Sequence, residues 1–98
     1  MMEEDLYDNI WYCLVIRQDL DLSSAFYSHL MKTGALTYDQ RKYIREFTKS
    51  FAKGFTKKRK VERGLLLDIL RRKGNLGYIG FTQALYITLQ HKVLKSIS

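Results

Sequence analysis

The chain has 98 residues, 46% of them hydrophobic and 13% aromatic, with no proline and a formal net charge of +7. That apolar content supplies the core of one modest domain and argues against intrinsic disorder, while no apolar run approaches the roughly 20 residues needed to span a bilayer. The single cysteine, Cys13, has no partner for an internal disulfide and the N-terminus lacks a basic-then-apolar leader, so the expectation is a cytoplasmic protein without a membrane span.

Charge is distributed unevenly. Residues 1–31 carry Glu3, Glu4, Asp5, Asp8, Asp19 and Asp21 against Arg17 alone, whereas residues 32–73 hold fourteen Lys or Arg against Asp39, Glu46, Glu62 and Asp68. An acidic end and a basic middle attract one another between molecules.

The first helix is predicted from about Glu3 to Asp19, with Glu3, Glu4 and Asp5 at the positive end of its dipole and Leu6, Ile10, Cys13, Leu14 and Leu20 facing inward. Arg17 falls on that apolar stripe, so a bend near Tyr12 or Cys13 is expected to turn it outward; the alternative is a partly buried Arg17 paired with a carboxylate. Asp21 is the candidate N-cap of a second helix reaching Lys32, with Leu22, Ala25, Phe26 and Leu30 inward and Gly34 as its stop.

Thr37 followed by Gln40 reads as a capping box opening a third helix, in which Ile44, Phe47, Phe51 and Phe55 recur at helical spacing before Gly54 ends it. A fourth helix is predicted from Thr56 or Lys57 to Lys73. Its core face carries Val61, Leu65, Leu66, Ile69 and Leu70, and its opposite face Lys60, Arg63, Leu67 and Arg71. Gly74 provides a left-handed exit and Asn75 to Gly77 a turn. The fifth helix, Gly77 to Leu89, points Phe81, Leu85 and Leu89 inward, with Gly77 and Gly80 weakening its first turn by about 1 kcal/mol each relative to Ala. A sixth, His91 to Ile97, packs through Val93, Leu94 and Ile97. Six short antiparallel helices without a linker or repeat make a single all-α bundle over residues 1–98.

IRQDL at 16–20, GALTYDQ at 34–40 and LLLDILRRKG at 65–74 resemble the caspase recruitment domains (CARDs) of the death-fold superfamily. KRKV at 58–61, with the pattern from Leu66 through Lys73, Gly74, Gly77 and Tyr78 to Phe81, looks most like the scaffold proteins that place such a domain before a coiled coil. The stretch from Phe47 to Lys57 departs from the family by being longer, and no coiled coil, kinase, caspase or nucleotide-binding module follows, which fits an excised domain or a domain-only regulator.

The resemblance implies a death-fold six-helix bundle with a bent first helix that performs no chemistry and needs no cofactor. It implies homotypic CARD–CARD contacts, with another such protein or with itself as a homo-oligomer or filament, in an apoptotic or inflammatory NF-κB signalling complex. On that pattern Arg17, Lys60, Arg63, Leu67 and Arg71 form a basic face, and Asp19, Asp21 and Asp39 its acidic complement. Arg41, Lys42, Arg45, Arg72 and Lys73 fall in secondary contact regions. A CARD-only decoy that caps such an assembly is the alternative within the family.

The run Lys57, Lys58, Arg59, Lys60 stands at a helix N-terminus, where the dipole disfavours cations by about 0.3 to 1 kcal/mol each, so something other than helix stability keeps it. It reads as a solvated face, a partner patch or a nuclear localisation signal. A basic helical bundle that binds nucleic acid is the reading from a different class, with Tyr43, Phe51 and Phe55 available to stack bases. The helical spacing of Phe47, Phe51 and Phe55 suits a core better, and no recognition-helix signature is present. Cys13, His29 and His91 are isolated in sequence, so neither a metal site nor catalysis is expected.

Overall fold

A computed structural model describes residues 11–51 and 54–97, and among them the regular backbone is entirely helical, in six helices. These are α1 (Leu14–Asp19), α2 (Ser24–Lys32), α3 (Tyr38–Phe51), α4 (Phe55–Arg72), α5 (Asn75–Ile87) and α6 (His91–Ser96). The positions expected at Glu3, Glu4, Asp5, Leu6 and Ile10 lie outside the described residues, as do the side chains of Leu14, Phe51 and Phe55.

Trp11 has helical backbone, Tyr12 turns, and Cys13 leaves the helix at φ −64° and ψ 128° before α1 begins at Leu14. This break stands where the sequence predicts a bend, and it resets the helical phase. Ile16 and Leu20 become the fully buried residues of α1, while Cys13 is only partly buried. Ile16 was absent from the predicted inward face because that face assumed an unbroken helix.

Ser23, not Asp21, caps α2: its hydroxyl accepts from the Phe26 N–H at 3.2 Å. Phe26, Tyr27 and Leu30 are buried, whereas Ala25, expected inward, is exposed. Gly34 ends the element at φ 84°, a conformation in which a Cβ is disfavoured. The capping box of α3 forms as spaced, with the Thr37 N–H donating to Gln40 Oε1 at 3.0 Å and the Gln40 N–H to Thr37 Oγ1 at 3.1 Å.

α3 packs mainly on α4, so only a narrow stripe of it is covered. Ile44 and Thr48, four residues apart, occupy that stripe. Phe47, one position off, is half-exposed and meets Tyr43 on the outer side with ring centroids 5.8 Å apart.

α5 is the central element, packing on α2, α4 and α6. Its two glycines permit close approach: a Cβ at Gly77 would strike the Leu70 carbonyl oxygen of α4, and one at Gly80 would sit 2.5 Å from Ala35 Cβ. The helix starts at Asn75 directly after Gly74, so the expected turn over Asn75 to Gly77 is helical and the glycines are contact points rather than weaknesses. Phe81 stands edge-on to Phe26, with ring centroids 6.0 Å apart, and near Trp11 at 5.3 Å. Leu89, expected inward, is 70% exposed and turns the chain at φ 60°, because α5 ends two residues earlier.

One long-range clasp fixes the start of the α1–α2 loop to the start of α6. The Asp21 N–H donates to Gln90 Oε1 and Gln90 Nε2 donates back to the Asp21 carbonyl oxygen, both at 2.8 Å, while Gln90 itself is buried. A side-chain amide matched in both directions to one residue's backbone satisfies the polar groups that this loop would otherwise bury unpaired. The radius of gyration, 12.8 Å, is that of a compact fold of this length, about 13 Å for 100 residues.

Candidate interaction surface

The residues predicted to carry contacts divide into those brought together and those left apart. Arg17 of α1 is half-buried: its guanidinium carbon lies 5.3 Å from the Tyr12 ring centroid, and its Nη1 is 3.7 Å from where a Cβ of Gly64 would stand. Arg17 thus lies beside α4 at Gly64. On the same part of α4, Lys60 is exposed and Arg63 half-buried. Arg17, Lys60 and Arg63 therefore form a cationic seam where α1 meets α4.

Arg63 also has a structural task, since its Nε–H donates to the Leu20 carbonyl oxygen at 2.8 Å. Leu20 is the C-cap residue of α1, where carbonyls lack intrahelical donors and the dipole favours a cation. One turn earlier, Arg59 Nη1 approaches the Leu22 carbonyl oxygen at 3.4 Å and Glu62 Oε1 at 3.5 Å. Arg59 and Arg63 of α4 thus hold the α1–α2 loop, which gives these two cations a structural role.

Leu67 does not belong to this face. It is 0% exposed and part of the core, as are Leu66 and Leu70, whereas Leu65 and Ile69 of the predicted core face are only partly buried. α4 packs on α1, α3 and α5, so its covered sector is wider and differently centred than a two-sided projection assumes. Arg71 and Arg72 share Asp68, at 3.3 and 3.0 Å, near the surface, where such pairs contribute about 1 kcal/mol or less.

The acidic residues are dispersed. Asp19 is exposed and pairs with Lys92 at 3.2 Å; Asp21 and Asp39 are exposed, in the α1–α2 loop and the first turn of α3. Lys42 is exposed on α3 and Lys73 is the half-buried C-cap of α4.

Arg41 and Arg45 of α3, expected only as secondary contacts, lie instead beside the head of α4. They join Lys49, Lys58, Arg59, Glu62, Leu22 and Thr48 in lining an open cleft of about 390 Å³ between the two helices. Its floor is tightly tied. The Tyr27 O–H of α2 donates to Glu62 Oε2 at 2.6 Å, and the Arg41 guanidinium carbon sits 3.7 Å from the centre of the Tyr27 ring. Burial pushes the Tyr27 hydroxyl well above its ordinary range, reinforced by its bond to Glu62.

Sequence reasoning missed Lys49, Lys58, Arg59 and the Tyr27–Glu62 bond as parts of one place. Thr48 was detectable, being four residues after Ile44 on the buried stripe; the bond between Tyr27 and Glu62, thirty-five residues apart, left no local signal. Among the described residues no helix is long and apolar enough to cross a membrane. Comparison of the chain with protein-family models, with curated protein sequences and with solved structures returned no match.

Proposed function

We propose that the chain is a protein-interaction module of the CARD type, which joins or nucleates an oligomeric signalling assembly through charge-complementary contacts between copies or with a related domain. The observation that carries this reading is the α1–α4 seam: Arg17, from an acidic stretch of sequence, lies beside Gly64 among the cations of α4. Lys60 stands exposed on that seam, and Asp21 and Asp39 stand exposed on other elements, available to a second copy. The all-helical backbone of the described residues supports it.

Lys60→Glu is the decisive variant, because Lys60 is exposed and reversal of an exposed charge usually changes stability by less than about 0.5 kcal/mol. Arg63→Glu is unsuitable, since it also breaks the bond to the Leu20 carbonyl. The purified chain is followed by light scattering and negative-stain microscopy at low and moderate salt. Salt-sensitive oligomers that Lys60→Glu abolishes are the expected result. Oligomers indifferent to Lys60→Glu, or a chain that stays monomeric and neither joins nor blocks assemblies of related domains, overturn the reading.

A further inference from the structure

We propose that the α3–α4 cleft is a binding site for a compact polyphosphate anion. Five cations, Arg41, Arg45, Lys49, Lys58 and Arg59, line one volume of about 390 Å³, within the range of small-ligand sites, with Arg41 also over the Tyr27 ring and Arg59 also at the Leu22 carbonyl and Glu62. The single carboxylate among them, Glu62, is already engaged by the Tyr27 hydroxyl and by Arg59. A cleft lined by one sign of charge concentrates the opposite sign, and arginine's planar fork matches phosphate oxygens in pairs.

A second feature borders the same space. Thr48 is 6% exposed, lines the cleft, and its Oγ1 has no hydrogen-bond partner. A helical threonine ordinarily satisfies that hydroxyl on a carbonyl of the preceding turn, as Thr82 and Thr88 do here. An orphaned buried hydroxyl is costly, and an oxygen of a bound anion would supply the acceptor it lacks.

Arg41, Arg45 and Lys49 recur at each turn of α3, and Lys58 and Arg59 come from α4, so cations line the cleft from both helices. The ligand must therefore present several negative charges within that volume, as linked phosphates or phosphates on a small ring do. The same chemistry is offered by a free polyphosphate and by a multiply phosphorylated lipid headgroup. Because Arg17, Lys60 and Arg63 do not line the cleft, the site stands or falls independently of the assembly seam.

The test is calorimetric titration of the full chain with sodium tripolyphosphate and with inositol hexakisphosphate, against sodium sulfate. Arg45→Ser with Lys49→Ser is the cleft variant, and Lys32→Ser with Lys92→Ser the control of equal charge change. Both polyphosphates are expected to bind more tightly than sulfate, and loss of charged hydrogen bonds in the cleft variant is expected to weaken them by about tenfold or more while the control retains affinity. Thr48→Val is expected to weaken binding while leaving the melting temperature equal or higher, a combination that a purely structural Thr48 does not produce.

Vesicles of phosphatidylcholine with and without phosphatidylinositol bisphosphate distinguish the sources. Recruitment by the phosphoinositide that tripolyphosphate reverses identifies a headgroup; soluble binding without recruitment identifies a free ligand. Equal affinity for sulfate, an equal loss in the control variant, or binding of a duplex oligonucleotide in place of the polyphosphates overturns the proposal.

Discussion

α4 is flanked by two groups of cations, one where it meets α1 and one where it meets α3, and the two are used differently. Toward α1, Arg63 donates to the Leu20 carbonyl and Arg17 lies beside Gly64, so charge there also helps assemble the fold. Toward α3, Arg45, Lys49 and Lys58 border open space, and the fixed members of that side are Arg41 and Glu62, both held by the buried Tyr27. A basic helix therefore cannot be read as one surface. A guanidinium that reaches a carbonyl at a helix end is part of the scaffold, and one that faces a cleft is available for recognition.

The largest effect expected concerns the core directly behind the seam. Leu67→Ala should destabilise the chain by about 2 to 5 kcal/mol, because the residue is completely buried and its removal leaves a cavity. Denaturant unfolding measures it, and a change typical of a surface residue would return Leu67 to the interaction face.

The cleft floor comes next. Tyr27→Phe should cost about 2 kcal/mol through loss of a hydrogen bond to a carboxylate. It should also change the pH dependence of unfolding. The folded state holds the Tyr27 proton above its ordinary value of 10.0, so this contribution is fully present below that pH and is lost as pH rises beyond it. The parent chain should lose stability more steeply than Tyr27→Phe on the alkaline side, and parallel profiles would mean that the hydroxyl is not held as described.

The smallest effects test the contrast itself. Arg63→Met keeps the stem of the side chain but removes its bond to Leu20, and should cost about 1 to 2 kcal/mol. Arg45→Ala, on an exposed residue of the cleft rim, should stay within about 0.5 kcal/mol of the parent. Equal losses at the two positions would erase the distinction between scaffold and recognition cations.

Much of the fold was legible locally. The capping box at Thr37 and Gln40, the positive-φ glycines at Gly34 and Gly74, and the buried Phe26, Leu30, Ile44, Leu66, Leu70, Phe81 and Leu85 follow from short-range geometry and helical spacing. The interruption at Tyr12 and Cys13 was legible because a helix does not bury Arg17 within an apolar stripe without a partner. Errors came where a neighbour decides the face. Leu67 is interior because α4 is enclosed by three helices, and Phe47 is half-exposed because α3 is covered chiefly by one.

The sequence by itself determined the all-helical class, the order of the helices and the wealth of cations in the middle of the chain, since periodicity, capping and charge act over a few residues. Only the tertiary structure decided which cations share a place, that Gly77 packs on α4 and Gly80 on the α2–α3 connection, and that Gln90 clasps Asp21 across sixty-nine positions. Those outcomes depend on helix packing and on satisfying buried backbone groups at long range, and neither leaves a local pattern in the chain.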